Sequence, residues 1–355
     1  MSGVAAEHGD RPAETEPLLV GHAPVLLAEV VAALAPRAGG RYLDGTFGGG
    51  GHTCAILEVS RPDGRIVALD LDPEAIRRAG GLAAELPQPH RLHPIQANFA
   101  DLATVARAED LVTLDGVLLD LGLSSFQLDT PQRGFAFRLD GPLDMRFDPT
   151  AGPTAADLVN ELPERELADL LFRFGEEPRS RRIAAAIVRE RSRATIDSTA
   201  RLATIVSNAA GGRRGRETHP ATRTFQALRI ATNDELGALQ RALDGAVSVL
   251  APGGHLVVIS FHSLEDRIVK RFIQLESTTC ICPPDQPICT CDHQPRLART
   301  TRRAVRATPA EIAENPRSRS AIMRVAERLD EELESGVGTT HRTTGADLLT
   351  AGRRR

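Results

Sequence analysis

Three acids and a run of glycines stand where a nucleoside ligand could be held. Asp44 leads into the turn Gly45-Thr-Phe-Gly-Gly-Gly-Gly51, and Asp70 and Asp120 end the apolar runs Arg65-Ile-Val-Ala-Leu-Asp70 and Gly116-Val-Leu-Leu-Asp120. Glycines let the backbone approach a ligand closely, and an acid ending the second strand of a doubly wound sheet can accept from both hydroxyls of a ribose. The phosphate-cradling patterns fail. G-x-G-x-x-G begun at Gly48 meets Thr53 at its last position, and the P-loop pattern meets Thr46 for its first Gly and His52 for its Lys. Glycines and a ribose acid without a pyrophosphate cradle favour S-adenosylmethionine. A plain tight strand–helix turn is the competing reading.

The elements that must position these residues alternate. A strand at Arg41–Asp44 precedes the turn, a helix follows from His52 to Glu58, and Arg65–Asp70 is a buried strand. A helix opened by Pro73 comes next, then strands near Leu92–Ala97 and at Gly116–Asp120. Apolar strands separated by helices predict a parallel, doubly wound α/β sheet, whose ligands bind outside the carboxyl ends of the strands. The alternation then gives way to helical spacing alone. Leu167, Leu170, Leu171 and Phe174 fall on one helix face, Leu202, Ile205, Val206 and Ala209 on another, with Ile183 and Ile187 between. The α/β pattern resumes with a helix from about Asn233 to Leu250, the breaker Pro252-Gly-Gly254, and strands at His255–Ser260 and Ala321–Ala326. The expected architecture is one α/β domain (21–132 and 224–329) interrupted by an all-helical insertion (133–223), between disordered tails at 1–20 and 330–355.

The 355 residues include 43 basic and 47 acidic ones, a net charge of −4 that speaks against a generic nucleic-acid binder. The average hides a local bias: between Arg173 and Arg223 there are 12 Arg against 5 acids. Lys270 is the single lysine, which reads as a coding bias toward Arg. No apolar run is long enough to span a bilayer, and the first residues have neither a basic start nor an apolar stretch, so a cytosolic protein without membrane contact is expected.

Longer motifs carry a resemblance. DGTFGGGGH (Asp44 to His52), LDLGLSSFQLD (Leu119 to Asp129), RGFAFRLDGPLDMRFDP (Arg133 to Pro149), HPATRTFQALRI (His219 to Ile230) and SFHSLEDRIVK (Ser260 to Lys270) are similar to those of the bacterial 16S rRNA (cytosine-N4)-methyltransferase family. GHAPVLLAEV (Gly21 to Val30) and ENPRSRSAIMRVAER (Glu314 to Arg328) extend the likeness to about residues 21–328. The resemblance implies a class I, Rossmann-like S-adenosylmethionine-dependent methyltransferase with a helical insertion. Its substrate would be a 16S rRNA cytidine near the decoding centre, methylated on the exocyclic amine. Cofactor contacts carried over by position are Gly50, Gly51, His52, Asp70, Phe99, Asp120 and Gln127. Phe126 stands where the family usually has Pro, and Gly49 where Arg is common.

Methyl transfer from a sulfonium is an in-line displacement, so alignment supplies most of the acceleration. The cytosine amine is a poor nucleophile, and an acceptor against its N–H would sharpen it and remove the surplus proton. Asp120 and Ser124 are the catalytic candidates, with Ser125 beside them; Asp120 could equally serve the cofactor alone. The base must be single-stranded or lifted from its stack. The basic insertion, including Arg213, Arg214 and Arg216, and the HPATRTFQALRI segment are expected to guide that RNA. His22, His219 and His262 read as hydrogen-bonded structural histidines.

Cys54 is expected to be a small buried residue. Cys280, Cys282, Cys289 and Cys291, followed by His293, leave structural zinc, free thiols and disulfides open, because a zinc knuckle usually has the spacing C-x2-C rather than C-x-C. Two other functions compete with an rRNA methyltransferase. One is methyl transfer to a small molecule or protein, with the insertion as a cap over the pocket. The other is a non-catalytic ribosome-assembly factor that keeps the cofactor fold.

Overall fold

The computed structural model describes residues 24–330 apart from 112, 213–218, 287 and 302. Both tails, His22 and the triplet Arg213, Arg214 and Arg216 lie outside the described residues. The chain begins with α1 (Leu27–Leu34), β1 (Arg41–Asp44), α2 (Gly51–Val59), β2 (Arg65–Asp70), α3 (Pro73–Glu85), β3 (Leu92–Gln96), α4 (Leu102–Ala108) and β4 (Leu114–Asp120). Five helices then follow: α5 (Ser125–Asp129), α6 (Ala155–Glu161), α7 (Glu164–Gly175), α8 (Ser180–Arg191) and α9 (Thr199–Ala209). After them come α10 (Thr222–Asn233), α11 (Glu235–Val249), β5 (Leu250–Ser260), α12 (Ser263–Glu276), β6 (Leu297–Arg299), β7 (Val305–Arg306), α13 (Pro309–Glu314) and β8 (Ile322–Arg328). No helix among the described residues is long and apolar enough to cross a membrane.

All eight strands form one sheet in the order β3-β2-β1-β4-β5-β8-β6, with β7 also against β8. The five strands from β3 to β5 are parallel, as the alternating pattern predicts. The last strand is not: β8 runs antiparallel to β5, with Val257 opposite Val325, and β6 and β7 pair antiparallel with it. An antiparallel strand added to a parallel sheet reads like any other apolar run, so spacing could not reveal the direction of β8. Pro252-Gly-Gly254 does not break the element either. It lies inside β5, opposite the β4 irregularity between Leu114 and Gly116. The helix expected from about Asn233 to Leu250 is α11, and Asp234 in a left-handed conformation (φ 48°) separates it from α10.

Burial follows from this topology. One apolar layer joins β1, β2, β4 and β5 to α4, α11 and α12 through residues such as Leu43, Leu119, Leu243 and Val269. The opposite face of the sheet packs on α1, α2 and α3 through Tyr42, Ile56 and Ile66. A third cluster belongs to the helical insertion, where Val159, Leu171, Ile187 and Leu202 meet. The i, i+3, i+4 spacing of α7 and α9 puts their apolar stripes into this third core. Phe225, Ala227 and Leu228 of α10 also belong to it, so the boundary expected after residue 223 is not a packing boundary.

Leu171 is fully buried at the centre of the insertion core. Leu171→Ala should cost about 2–5 kcal/mol in a denaturant titration of the full chain, by lost transfer energy and the cavity left behind. A change under about 0.5 kcal/mol would mean that the helices do not share a tight core.

Candidate functional site

Parallel pairing in register brings the three acids together. β1 lies between β2 and β4, with Asp44 level with Ala68 and Leu118, so Asp44, Asp70 and Asp120 end three adjacent strands at one edge of the sheet. This is also where strand order reverses, the position at which open α/β sheets bind ligands. The glycine turn crosses the edge. Gly48 and Gly50 adopt φ of 53° and 81°, a left-handed region that costs a residue with a Cβ atom. A Cβ on Gly50 would also stand 2.6 Å from the Phe47 ring.

Each acid is held differently. Asp44 is buried and accepts from Thr46 N at 3.0 Å and Thr53 Oγ1 at 2.7 Å. Asp70 accepts from Gly48 N at 2.8 Å through one oxygen and from Asp72 N at 2.9 Å through the other. Each oxygen accepts one amide and has capacity for a further hydrogen bond, as a ribose diol requires. Burial raises its carboxyl to about 6, against those two amides. Asp120 has no such partners: its Oδ1 is buried without a hydrogen bond. Burial pushes its carboxyl up to about 8, and the charges of Asp44 and Glu265 add to the shift.

His52 completes that corner. Its Nε2 lies 3.0 Å from the Val25 carbonyl, which can only accept, so Nε2 carries the hydrogen and Nδ1 is left as an acceptor. Nδ1 is 3.5 Å from Asp120 Oδ2. Burial lowers the imidazole to about 4. A neutral imidazole therefore faces a carboxyl that is mostly protonated at neutral pH.

Other predicted residues have structural duties as well as a place on the cleft. Ser124 caps α5: its Oγ accepts from Gln127 N at 3.2 Å, and Gln127 Oε1 accepts from Ser124 N at 3.1 Å. Gln127 is buried and donates through Nε2 to Asp72 Oδ2 at 3.0 Å. Phe99 lines the cleft and also packs on the sheet core. Ser125 Oγ accepts from Arg317. Of the histidines, His219 stacks on Phe137 at 4.5 Å, and His262 caps α12 and lies 3.1 Å from Glu265 Oε1. Glu265 is buried, which opposes ionisation, but His262 and Arg229 hold it below the ordinary carboxylate range. Cys54 is half-buried rather than fully buried.

The two departures from the family pattern are neighbours. A Cβ on Gly49 would stand 3.5 Å from the Phe126 ring. The Arg78 guanidinium lies 4.0 Å over that ring and donates to Gly48 O at 3.0 Å. An Arg on α3 and an aromatic on α5 thus brace the glycine turn from outside.

Several cleft residues escaped the sequence reading. Asp72 caps α3 and is the buried anchor of a network in which Arg133 Nη1 donates to its Oδ2 at 2.7 Å. Arg133 also donates to the carbonyls of Arg146 and Phe147 at 3.0 and 2.8 Å. Asn233 accepts from Phe147 N at 2.7 Å and donates to Met145 O at 2.8 Å. These contacts hang the loop of residues 133–149 on the cleft, which Phe147, Asn233 and Arg317 line opposite the glycines. Arg133 and Phe147 stand in a motif that could have been searched for clamps. Arg317 stands in the motif that begins at Glu314 and could have been searched likewise, whereas Asn233 gave no local signal.

Residues 19–329 match the MraW methylase family. The chain belongs to that family. Within it, the chain is 56% identical over 319 residues to the ribosomal RNA small subunit methyltransferase H of Thermomicrobium roseum, covering 90% of this chain and 97% of that protein. The protein of the same name from Dehalococcoides mccartyi is 51% identical, over 89% of this chain and 88% of its own length. That from Syntrophotalea carbinolica is 49% identical, over 87% and 98%. Together with the sheet order, MraW membership identifies the fold as a class I S-adenosylmethionine-dependent methyltransferase, as its motifs imply.

The unpaired carboxyl of this MraW methylase sets a stability prediction. Folding raises the Asp120 pKa, so the folded state keeps a proton that the unfolded chain releases, and stability falls as pH rises from about 4 to about 8. Asp120→Asn removes that penalty and can still donate toward His52 Nδ1. Thermal melts of the ligand-free protein should show the variant gaining on the parent as pH rises, by on the order of 1–3 kcal/mol at pH 9. A gain that does not depend on pH would contradict the raised carboxyl.

Proposed function

We propose that the chain transfers a methyl group from S-adenosylmethionine to the exocyclic N4 amine of a cytidine in the 16S rRNA of the small ribosomal subunit, in the cytoplasm. The names of its relatives supply the RNA class, and the motif resemblance supplies the cytidine near the decoding centre. One observation carries the chemistry: Asp70, with two free acceptor positions, and the unpartnered Oδ1 of Asp120 belong to a single cleft.

The residues fit the cofactor. Gly50 and Gly51 have no room for a Cβ, which would meet Phe47 and Pro24, so the turn stays tight at the cleft, and the buried His52 closes it against Val25. Asp70 suits the ribose hydroxyls, Phe99 offers an apolar face for the adenine, and Gln127 holds the α5 wall to Asp72. When bound, S-adenosylmethionine supplies an electrophilic methyl group on a sulfonium centre. The chain then has to place the amine in line and take its proton.

Ser124 and Ser125 already accept in a helix cap and from Arg317, whereas the unpartnered Oδ1 makes Asp120 the favoured acceptor for the cytosine N–H. A carboxyl raised by burial is a stronger base than an exposed one, and a positive charge brought beside it restores the ionised form. Phe147 and Phe261 line the same cleft and offer ring faces to a base lifted from its stack. The second reading, in which Asp120 serves only the cofactor, makes a different prediction. Asp120→Asn should lower kcat about 10²–10⁴-fold and abolish the rise of kcat/KM toward pH 8, with S-adenosylmethionine affinity changed less than tenfold. Weakened affinity with unchanged kcat would favour the cofactor-only role. Small-subunit rRNA from cells lacking the chain should lose N4-methylcytidine, and its persistence would overturn the assignment.

RNA guidance is assigned to the insertion. Arg181, Arg182, Arg189 and Arg193 of α8 and its end are exposed, and Arg182, Arg189 and Arg201 line a groove between α8 and α9. The HPATRTFQALRI segment contributes less than expected, because α10 turns Thr224, Phe225 and Leu228 inward and pairs Arg229 with Glu235 at 2.7 Å. Asp140 and Glu190 line the same groove, with Glu190 paired to Arg193 at 3.0 Å, and the remaining excess of arginine favours RNA over a small-molecule or protein substrate. Arg182→Gln with Arg189→Gln should weaken rRNA binding and reduce the slope of log K against log salt by about 1–2, leaving S-adenosylmethionine affinity unchanged. An unaltered RNA affinity would remove the insertion from the recognition surface.

A further inference from the structure

The connection from Glu276 at the end of α12 to Leu297 at the start of β6 has no helix or strand among its described residues. Loops longer than about 12–15 residues without internal structure are uncommon in compact domains unless something else organises them. No apolar core does so here, since Ile281 and Ile288 are 48% and 73% exposed. What converges instead is sulfur. Cys280 and Cys289 Sγ are 3.4 Å apart and Cys289 and Cys291 Sγ 3.5 Å. The pairs Cys282–Cys289 and Cys280–Cys291 are each 4.0 Å apart, and all four sulfurs lie within 4.8 Å of one another.

These separations decide among the three possibilities the spacing leaves open. A disulfide needs its sulfurs about 2.05 Å apart, and every cysteine here is free. Free thiols on an exposed loop have no reason to collect four at a time, because S–H groups are weak donors and weak acceptors. A tetrahedron built on Zn–S bonds of about 2.3 Å has edges of about 3.8 Å. The observed separations bracket that edge.

We infer that Cys280, Cys282, Cys289 and Cys291 form a tetrahedral tetrathiolate site for one structural Zn²⁺, which staples the α12–β6 connection. The backbone supports the site as the surroundings of a thiolate should. Ile281 N donates to Cys291 Sγ at 3.4 Å and Thr290 N to Cys282 Sγ at 3.4 Å, so each C-x-C arm offers an amide to a sulfur of the other. Gln286 closes the turn between the arms by donating to Ile288 O at 3.0 Å and Thr290 Oγ1 at 2.8 Å. His293 is spent elsewhere, its Nε2 lying 3.0 Å from Leu275 O, so the four sulfurs complete the shell without it. With four protein ligands the ion has no open position, which makes the site structural rather than catalytic. None of the four cysteines lines the methyltransferase cleft. The short C-x-C spacing is accommodated because each arm closes its own edge of the tetrahedron while the turn at Gln286 brings the arms together. Binding displaces the thiol protons to solvent, so affinity should fall as pH falls.

The test uses the full-length chain purified from zinc-replete cells without chelators. Native mass spectrometry and metal analysis should find one zinc per chain, removed by a strong chelator. Exchange with cobalt should give the visible absorption of tetrahedral thiolate-bound Co²⁺. Cys280→Ser and Cys291→Ser should each lose the metal. Should either variant fail to fold, the parent protein still decides, through four thiols that resist alkylation until chelator is added. A metal-free mass with all thiols reactive would overturn the proposal. So would a mass lighter by the hydrogens of one or two disulfides, or iron in place of zinc. Each readout is independent of methyl transfer, so failure here leaves the proposed reaction standing.

Discussion

Three carboxylates crowded at the edge of one sheet set the terms for everything else in this protein. Parallel register leaves Asp44, Asp70 and Asp120 at the ends of adjacent strands, where burying a charge is costly unless donors compensate it. The compensation is graded. Asp44 has two threonines and a backbone amide, Asp70 has two amides, and Asp120 Oδ1 has nothing. That gradient gives three like residues three environments, and it is the basis for the proposed roles of Asp70 as ribose acceptor and Asp120, its carboxyl raised to about 8, as proton acceptor. The glycine turn is part of the same solution, since the amide that steadies Asp70 comes from Gly48 in a left-handed conformation.

The second constraint is attachment. A helical insertion with its own core would swing freely if it were joined only by its two chain ends. Asp72 prevents this. It caps α3, accepts from Gln127 of α5 and pairs with Arg133, and Arg133 in turn holds the carbonyls of Arg146 and Phe147. One buried carboxylate therefore fixes the floor of the cofactor region to the wall that carries Phe147. Arg229 and Glu235 do the same work at the other side, where α10 leaves the insertion and α11 enters the sheet layer. Removing either cation would strand a buried anion, so these pairs are conditions of the site's shape rather than ornaments of stability.

Much of this was legible in the chain. Periodicity located the parallel strands and the helices α7 to α9, because each buries a face and must show its period. The long motifs announced the family. Less could be read where a residue acts through partners far away in sequence. Ser124 looked like a hydroxyl free for catalysis, but its neighbour three residues on makes it a helix cap. Arg317 stands in a family-like motif, but nothing local showed that it reaches Ser125 across the molecule.

The sequence by itself determined composition, the order of elements and the identity of the groups that could react, since these depend on side-chain type and on spacing within one element. It could not determine which acid would be left unsatisfied, which direction the last strand would run, or whether four thiols would meet. Those depend on distances between segments remote in the chain, and register and packing settle them only once the sheet has closed. Tertiary structure separated Asp120 from Asp44, though both end apolar strands with the same carboxyl group. The difference is that threonine hydroxyls and an amide reach one, and no donor reaches the buried Oδ1 of the other.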